Sequence, residues 1–393
     1  MNIVWNLQKG KNINSLSRWG KAPALPFHQG MDDYKATPLV KLPKFAESLG
    51  LAQVWIKDES FRFGLNAFKG LGGSYAIAKY LCEQVDIPVD ENAFTCLRSP
   101  EIRKKLGQRT FITATDGNHG RGVAWAAKLL GHQAVVYMPE GTTKERFENI
   151  RALGAEVQIL PCNYDEAVRA AAETAAKNGW VLIQDTAWAG YEAIPTHIME
   201  GYTTLVYEIQ KQLLDYNKQL PTHLFLQAGV GSMAGAVAAY FAKNWGNDCP
   251  VIIVVEPDQA DCHYRTIKAN DNKLHKVAGR MNSIMAGLCC GEPNPISWEI
   301  LKDCVTAFIS CADEYTEKGM RILGSPQVGD MPVISGESGA VTTGVLAELC
   351  ENPRYKAYRE KLGLNKDSRV LLISTEGNTD QENYRKILHM KDA

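Results

Sequence analysis

Short apolar runs rich in β-branched residues alternate with amphipathic stretches along most of this chain. Buried strands are runs of about four to eight apolar residues, whereas an amphipathic helix repeats its apolar residues with a period of about 3.6. Their alternation predicts a parallel sheet with helices on both faces, which is the doubly wound α/β class. The predicted strands are Val54–Lys57, Thr110–Ala114, Ala134–Met138, Val157–Leu160, Val181–Gln184, His223–Gln227, Val251–Val255 and Val370–Ser374. The predicted helices are Gly122–Leu130, Arg146–Leu153, Tyr164–Asn178 and Met233–Asn244.

One segment, Asp86–Gln108, interrupts this alternation with proline, aspartate and arginine residues. We expect it to be an insertion before the strand that starts at Thr110. Ligands of doubly wound folds bind at the carboxyl ends of the strands. The loops that follow the predicted strands are therefore the places where a functional site is expected.

The composition is that of a globular protein that binds a small molecule. The chain has 393 residues, of which 45% are hydrophobic, so it can form two sizeable domains or one large α/β unit. Its 43 basic and 44 acidic residues give a formal net charge of -1, which argues against binding to nucleic acid or to a membrane surface. Neither terminus carries the ~20 apolar residues of a membrane span, and Met1–Gly10 lacks the core of a signal peptide. We expect a cytoplasmic protein.

The cysteines and histidines give no local metal motif. The 10 cysteines contain no C-x-x-C pair, and only Cys289 and Cys290 are adjacent. The 8 histidines show neither H-x-x-x-H nor H-E-x-x-H spacing. We therefore predict reduced structural thiols and no catalytic metal, and we leave open whether Cys289 or Cys290 forms a disulfide.

The clearest local motif is the glycine-rich segment Gln227–Gly235 (QAGVGSMAG), between a predicted strand and an alanine-rich helix. Gly229 and Gly231 would let the backbone approach an anion, and the N-terminus of the following helix favours phosphate there. Two alternatives stay open. The loop is a dinucleotide site in which Glu256 binds the ribose, or it is a tight turn without a ligand.

Three further segments have the composition of ligand-facing loops. Thr115–Gly122 (TDGNHGRG) follows a strand and opens a helix, although Asp116 or Asn118 there could simply cap that helix. In Asn66–Gly73 (NAFKGLGG), a lysine at position 69 stands among small residues, an unusual setting for a surface charge. Ser374–Asp380 (STEGNTD) follows the last strand with two hydroxyl residues.

In their order along the chain, the four segments resemble the motifs of the tryptophan-synthase-β-like (fold type II) pyridoxal-phosphate enzymes. Thr37–Leu39 (TPL) and Ile56–Glu59 (IKDE) are similar to the entry motif of that family, and Ala67–Lys69 (AFK) to its S-F-K. The resemblance implies two open-sheet α/β domains with pyridoxal 5'-phosphate in the cleft between them. It places the lysine that bonds to the cofactor at Lys69.

The same resemblance implies roles for the remaining loops. Asn118 would bind the phenolic oxygen of the cofactor, and Thr375 would face its pyridine nitrogen. The residues implied to bind its phosphate are Gly229, Val230, Gly231, Ser232 and Met233.

Three longer strings resemble those of the diaminopropionate ammonia-lyases, a group within the family. They are Phe63–Lys69 (FGLNAFK), Thr115–Ala126 (TDGNHGRGVAWA) and Gln184–Trp188 (QDTAW). Two positions differ from the general family pattern, because Ala67 and Asp116 replace serines that a serine or threonine dehydratase is expected to keep. The resemblance implies α,β-elimination of 2,3-diaminopropionate to pyruvate and ammonia.

The implied substrate carries an amine where serine carries a hydroxyl group, so a carboxylate is expected in its pocket. Asp185 is the candidate, because it ends a predicted strand, and capping of the next helix is the alternative role. Lys69 and Asp116 come from different loops and could reach the α carbon from opposite faces, which predicts use of both the D and the L form. Glu337 and Ser338 either line the pocket or belong to a structural turn.

The family resemblance also implies a homodimer and a division into domains. Residues 45–190 would form a smaller domain with Lys69 and the Asp116 loop, and residues 1–44 plus 191–393 a larger one with the phosphate loop. Three other functions stay open: a dehydratase or β-replacement enzyme of the same fold, a nicotinamide oxidoreductase, and a phosphate-ligand-binding protein without catalysis.

Overall fold

The computed structural model describes residues 1–10, 13–215 and 219–389, in which two β-sheets are covered by helices. The strands are β1 (Asn2–Trp5), β2 (Leu39–Lys41), β3 (Gln53–Asp58), β4 (Thr110–Ala114), β5 (Gln133–Met138), β6 (Glu156–Ile159), β7 (Val181–Leu182), β8 (His223–Gln227), β9 (Val251–Pro257), β10 (Ala307–Cys311) and β11 (Arg369–Ser374). The helices up to β8 are α1 (Leu25–Gln29), α2 (Pro43–Ser48), α3 (Gly70–Val85), α4 (Ala93–Arg98), α5 (Pro100–Leu106), α6 (Asn118–Leu130), α7 (Lys144–Arg151), α8 (Tyr164–Asn178) and α9 (Ala193–Asp215). The later helices are α10 (Ser232–Trp245), α11 (Cys262–Ala269), α12 (Pro295–Cys304), α13 (Asp313–Gly324), α14 (Glu337–Glu351), α15 (Lys356–Leu362) and α16 (Gln381–His389).

The predicted α/β class and its parallel sheets are confirmed. One sheet has seven strands in the order β1-β10-β9-β8-β11-β3-β2, and the other has four in the order β6-β5-β4-β7. All pairs in the smaller sheet are parallel, and only the outer strands β1 and β2 of the larger sheet are antiparallel to their neighbours. Strands of this kind are buried on both faces, which is why they appear in the sequence as nearly continuous apolar runs.

All eight predicted strands are present, and β1, β2 and β10 were missed. β1 and β2 are short antiparallel edge strands outside the alternation of strand and helix. β10 is fully buried but has Ile309 as its one β-branched residue. The prediction for β7 was too long, because the Gln184 amide binds the Tyr191 hydroxyl at 2.9 Å and thereby leaves the sheet. The segment predicted to be an insertion, Asp86–Gln108, folds into the short helices α4 and α5.

The predicted domain boundary at residue 45 disagrees with the strand pairing of β3. β3 lies in the larger sheet, where it pairs with β11 along its whole length and with β2 on its other side. A division that follows hydrogen bonding therefore assigns β3 to the larger unit. The remainder of the predicted division, 45–190 against 1–44 plus 191–393, stays a prediction.

A buried group of charged side chains holds β3 against α9. The Lys57 ammonium donates to Glu208 Oε2 at 2.7 Å, and Arg62 donates to both Glu208 (2.8 Å) and Glu59 (2.8 Å). The Thr37 hydroxyl donates to Glu59 at 2.6 Å. Burial alone would raise the pKa of Glu208, but Arg62 and Lys57 lower it below its ordinary value. Glu208 is thus ionised, and each cation has a carboxylate partner.

Replacing Glu208 with alanine should lower the free energy of unfolding by about 3–5 kcal/mol, because Lys57 and Arg62 would stay buried without their shared carboxylate. Urea unfolding followed by circular dichroism measures this change. Glu47→Ala is the control: Glu47 forms an exposed ion pair with Lys44, and its loss should cost less than about 1 kcal/mol. Equal effects of the two substitutions would contradict a stabilising role for the buried group.

Candidate active site

Each sheet reverses its strand order at one point, and the loops on either side of these points carry the predicted site residues. In the smaller sheet β4 lies between β5 and β7, and Asp116 and Asp185 follow β4 and β7. In the larger sheet β8 lies between β9 and β11; the glycine-rich loop follows β8, and Thr375 follows β11. A crevice forms where successive crossovers leave a sheet in opposite directions. The loops at the crevice of each sheet therefore supply one half of the site residues.

Lys69 reaches this place because the segment before it pairs with the loop after β11. The Phe68 amide donates to the Thr375 carbonyl oxygen at 3.0 Å, and the Gly377 amide to the Asn66 carbonyl oxygen at 3.0 Å. Helix α3 begins directly after the lysine. The glycines that follow it allow close helix packing: a Cβ at Gly72 would lie 2.7 Å from Tyr202 on α9.

One cavity collects most of the predicted residues. It is lined by Phe68, Lys69, Asn118, Asp185, Tyr202, Gln227–Ala234, Gly287, Leu288, Cys290, Ser338, Thr375 and Glu376. Asp116 lines a second, larger cavity beside it, together with Arg146 and Tyr164. The other predicted residues thus come together from both sheets, whereas Asp116 lines the second cavity.

The central contact is an ion pair between Lys69 Nζ and Asp185 Oδ2, 2.9 Å apart. Burial alone would lower the pKa of Lys69, but the carboxylates of Asp185 and Asp116 raise it above its ordinary value. Burial would likewise raise the pKa of Asp185, which the Lys69 ammonium lowers instead. Asp185 precedes α9 by eight residues and does not cap it, so its alternative role is excluded.

Neighbouring side chains fix the Asp185 carboxylate from behind. The Tyr164 hydroxyl donates to Asp185 Oδ1 at 3.1 Å and accepts from Gln184 Nε2 at 2.9 Å. His119 Nε2 donates to the Ile183 carbonyl oxygen at 2.7 Å, and burial lowers the pKa of this histidine. The imidazole is therefore neutral, with its Nδ1 lone pair 3.9 Å from Asp185 Oδ2.

The glycine-rich loop presents the N-terminus of α10 to the cavity. Gly231 is the N-cap residue, and no side chain caps the helix there. Its φ of +93° belongs to the left-handed region that favours glycine, and a Cβ would lie 2.6 Å from His263 Nε2. Ser232 Oγ donates to the Asp185 carbonyl oxygen at 2.5 Å, which ties this loop to the other sheet. Uncapped amide groups at a helix N-terminus suit an anion.

Thr375 and Asn118 are held by two residues to which the sequence gave no role. Gln227 Nε2 donates to Thr375 Oγ1 at 3.0 Å, so the threonine hydroxyl keeps its own hydrogen for a partner in the cavity. Asn118 Nδ2 donates to Glu376 Oε2, while the Ser338 amide donates to Glu376 Oε1 at 3.0 Å. Both oxygens of the buried Glu376 are therefore engaged.

Asp116 does not cap the helix that follows it. That task belongs to Thr115, whose hydroxyl accepts from the amides of Gly117 (2.9 Å) and Gly120 (3.0 Å). Among the residues that the structure describes, none forms a hydrogen bond with the Asp116 carboxylate. Burial raises the pKa of Asp116, and Lys69 and Arg146 oppose that rise.

Glu256 is not available to bind a ribose. Its Oε1 accepts from the His263 amide and from His263 Nδ1, and its Oε2 accepts from the Tyr264 amide at 2.7 Å. This geometry removes the residue that a nicotinamide site would need. Glu256, Cys262 and His263 also offer ligand atoms within 4.8 Å of one another, but the carboxylate is already occupied by these donors. All ten cysteines, including Cys289 and Cys290, are free thiols.

Comparisons with known proteins agree with this site. The family described as pyridoxal-phosphate dependent enzyme matches residues 31–376. The chain belongs to this family. It is 53% identical over 365 residues to a diaminopropionate ammonia-lyase of Salmonella typhimurium. The matched region covers 93% of this chain and 90% of the relative.

Two crystal structures of the diaminopropionate ammonia-lyase from Escherichia coli have the same fold. The complex with D-serine has a TM-score of 0.92, and the complex with an aminoacrylate-PLP azomethine reaction intermediate has a TM-score of 0.90. Each is 46% identical and covers 99% of this chain and 96% of its own. The predicted fold type II and the predicted cofactor, pyridoxal 5'-phosphate, are thereby confirmed.

The cavity of this pyridoxal-phosphate enzyme fits its cofactor on its own chemistry. It offers a buried primary amine in Lys69, an uncapped helix N-terminus for the phosphate at Gly231, and a free hydroxyl hydrogen in Thr375 for a ring nitrogen. Gln227 Oε1 is in addition buried without a hydrogen-bond partner. The individual roles of these residues remain proposals.

Sequence reasoning missed several residues of the site, among them Gln227, Glu376, Tyr164 and Arg146. Gln227 and Glu376 stand at the carboxyl ends of β8 and β11, a position that could have marked them as ligand-facing. Tyr164 and Arg146 begin helices and gave no comparable signal. Of the two open positions in α14, Ser338 lines the cavity, whereas Glu337 turns toward Asn383 and Arg146.

Replacing Gly231 with valine should weaken cofactor binding, because a β-branched side chain resists a φ of +93° and collides with His263. Titration of apoenzyme with pyridoxal 5'-phosphate, followed by visible absorption, measures the affinity. At saturating cofactor, Gly231→Val should still show the wild-type absorption band. Lys69→Ala should lack the borohydride-sensitive band at every cofactor concentration.

Gly246→Val is the matched control for this substitution. Gly246 ends the same helix with a φ of +51°, and a Cβ there meets no atom within 4 Å. Its backbone strain is comparable, but it lies away from the cavity. Wild-type affinity in Gly231→Val, or equal losses in both variants, would place the phosphate elsewhere.

Proposed function

We propose that this enzyme catalyses the α,β-elimination of 2,3-diaminopropionate to pyruvate and two molecules of ammonia, and that it accepts both enantiomers. The observation that carries this proposal is the buried ion pair of Lys69 and Asp185 in the cofactor cavity. The identity of 53% to a diaminopropionate ammonia-lyase supports it. The overall reaction consumes one water, because the enamine acid left by elimination hydrolyses in solution.

Asp185 is the proposed partner of the substrate's β-ammonium group. Its Oδ2 accepts from the Lys69 ammonium at 2.9 Å. Once Lys69 is bonded to the cofactor, that position can accept a second ammonium, while Tyr164 still donates to Oδ1. Serine would bring a neutral hydroxyl group instead and leave a buried carboxylate poorly compensated, which is costly. This difference favours the diamine over the hydroxy amino acid.

The other roles follow from the positions of the side chains. Pyridoxal phosphate, when bound, acts as the electron sink for bonds that break at the α carbon. The loop Gly229–Met233 is proposed to bind its phosphate, Asn118 its phenolic oxygen and Thr375 its ring nitrogen. A threonine hydroxyl does not protonate that nitrogen, which suits elimination better than transamination.

Lys69 and Asp116 are the two proposed bases. Lys69 lines the cofactor cavity and follows a segment that pairs with the loop after β11, whereas Asp116 follows β4 and lines the larger cavity beside it. We assign the α proton of the L form to Lys69 and that of the D form to Asp116. A carboxylate has an ordinary pKa of about 3.9 and is a weak base, and its burial here raises the pKa of Asp116 in the useful direction.

Two properties inferred from the sequence complete the proposal. The family resemblance implies a homodimer, and the ten free thiols suit a cytoplasmic location. In the described part of the chain, no helix is both long and apolar enough to cross a membrane.

A panel of 2,3-diaminopropionate, serine and threonine should give the fastest turnover with the diamine and two ammonia molecules per pyruvate. Coupled assays of pyruvate and ammonia measure both. Asp185→Asn should reduce diaminopropionate turnover by at least tenfold and affect serine turnover less, because only the diamine needs the negative charge. Equal yields of ammonia and pyruvate, or faster turnover of serine, would favour a dehydratase; efficient exchange of the β group for a thiol would favour a β-replacement enzyme.

Asp116→Asn should largely abolish turnover of D-2,3-diaminopropionate and spare much of the activity with the L form. An amide keeps the size and polarity of the carboxylate but cannot accept the α proton. Separate assays of the two enantiomers measure the difference. Equal losses would indicate a shared role in placing the cofactor or the substrate, and no loss would leave Asp116 without a catalytic role.

A further inference from the structure

Arg146 is an arginine of the first turn of α7 that lies beside the Asp116 loop with only 12% of its side chain exposed. Its aliphatic part covers Gly117, where a Cβ would lie 3.3 Å from Arg146 Cδ. A glycine at position 117 thus leaves room for the arginine. Arg146 and Asp116 line the same large cavity. Arg146 therefore packs against the loop that carries the proposed base for the D enantiomer, and both residues face the same cavity.

Acidic side chains of residues 337–380 face the arginine. Arg146 Nη2 is 3.9 Å from Glu337 Oε2, and Asn383 Nδ2 fixes the other oxygen of Glu337 at 2.6 Å. The acidic groups that face Arg146 are Glu376, Glu337, Asp116 and Asp380. Burial and the nearby Glu376 raise the pKa of Glu337 to about 7. Below neutral pH Glu337 is thus protonated, and the charge of Arg146 acts on the remaining carboxylates.

Asp116 has two cations near it, and only one keeps a fixed charge through the reaction. The ionisable groups that face Asp116 are Lys69, Arg146, Glu376, Asp185, His119, Tyr164, Cys289 and Cys290. Lys69 bonds to the cofactor and exchanges protons during turnover. A guanidinium group is not deprotonated in proteins, so Arg146 is the permanent positive charge on this side of the site.

We propose that Arg146 is a positioning residue that keeps the Asp116 carboxylate ionised and thereby sets the pH range in which the enzyme uses D-2,3-diaminopropionate. The inference rests on the proposed function, since it needs Asp116 to serve the D form and Lys69 to serve the L form. It adds a residue that affects turnover of the D enantiomer and not that of the L enantiomer.

The direction of the effect follows from the charge. A nearby positive charge favours the ionised form of a carboxylate, so removal of Arg146 raises the pKa of Asp116. A larger share of Asp116 is then protonated at a given acidic pH and cannot accept the α proton. Turnover of the L form, which starts with Lys69, does not depend on this proton.

The experiment compares the pH dependence of kcat/KM for the two enantiomers in holoenzyme of wild type, Arg146→Gln and Arg146→Lys. In Arg146→Gln the acid limb for the D form should move up by about one pH unit, while the limb for the L form stays in place. On that limb, turnover of the D form relative to the L form falls about tenfold. Arg146→Lys keeps the charge and should keep the wild-type ratio.

Arg151→Gln is the matched control, because Arg151 ends the same helix with 64% of its side chain exposed and pairs with Glu148. Both of its profiles should equal those of wild type. Equal shifts for the two enantiomers in Arg146→Gln, or no shift for either, would overturn the inference. If Arg146→Gln does not fold, a tenfold lower D to L ratio in Arg146→Lys would also overturn it. Absence of pyruvate from both enantiomers in wild type would instead contradict the proposed function.

Discussion

The ion pair between Lys69 and Asp185 is the contact on which the rest of the site depends, because it joins the two sheets inside the cleft. Removing both charges from water is expensive, and the attraction between them offsets that cost only with good geometry and further hydrogen bonds. Tyr164 and Gln184 supply such hydrogen bonds on the side of Asp185. Apolar residues of similar size would stabilise the same place at least as well. The charges are therefore better explained by chemistry than by stability.

The lysine is held by elements that are themselves fixed by buried charges. Glu208 on α9 binds Lys57 of β3 and Arg62 of the turn that precedes Lys69. On the same helix, the ring of Tyr202 packs against Phe68 with 4.8 Å between centroids. The residue before the reactive amine is thus clamped between α9 and the loop after β11. Such support limits the motion of Lys69 to its own side chain, which suits its proposed bond to the cofactor.

The sequence predicted the strands well where the apolar pattern was strong, and poorly where contacts with distant residues determine whether a strand forms. Parallel strands such as β8 are apolar along their whole length and were found, whereas β1 and β2 are short edge strands that form only because a neighbour is present. Lys69 and the glycine-rich loop were predicted from local composition. Glu376 and Arg146 were not, because their roles depend on residues far away in the chain, and no local pattern records such pairs.

The balance of charge in the cleft gives a physical reason for a doubly basic substrate. Asp116, Asp185 and Glu376 lie at the cleft with Lys69 and Arg146, and Glu337 lies just behind them. Carboxylates thus outnumber cations by three to two without Glu337, and by four to two where Glu337 is ionised. A substrate with two ammonium groups and one carboxylate brings one positive charge, whereas serine brings none. In a site of low dielectric constant that difference is large, and it acts before any specific hydrogen bond forms. In the proposed function, selection of the diamine therefore depends on the charge of the whole cleft, with Asp185 as the proposed nearest contact.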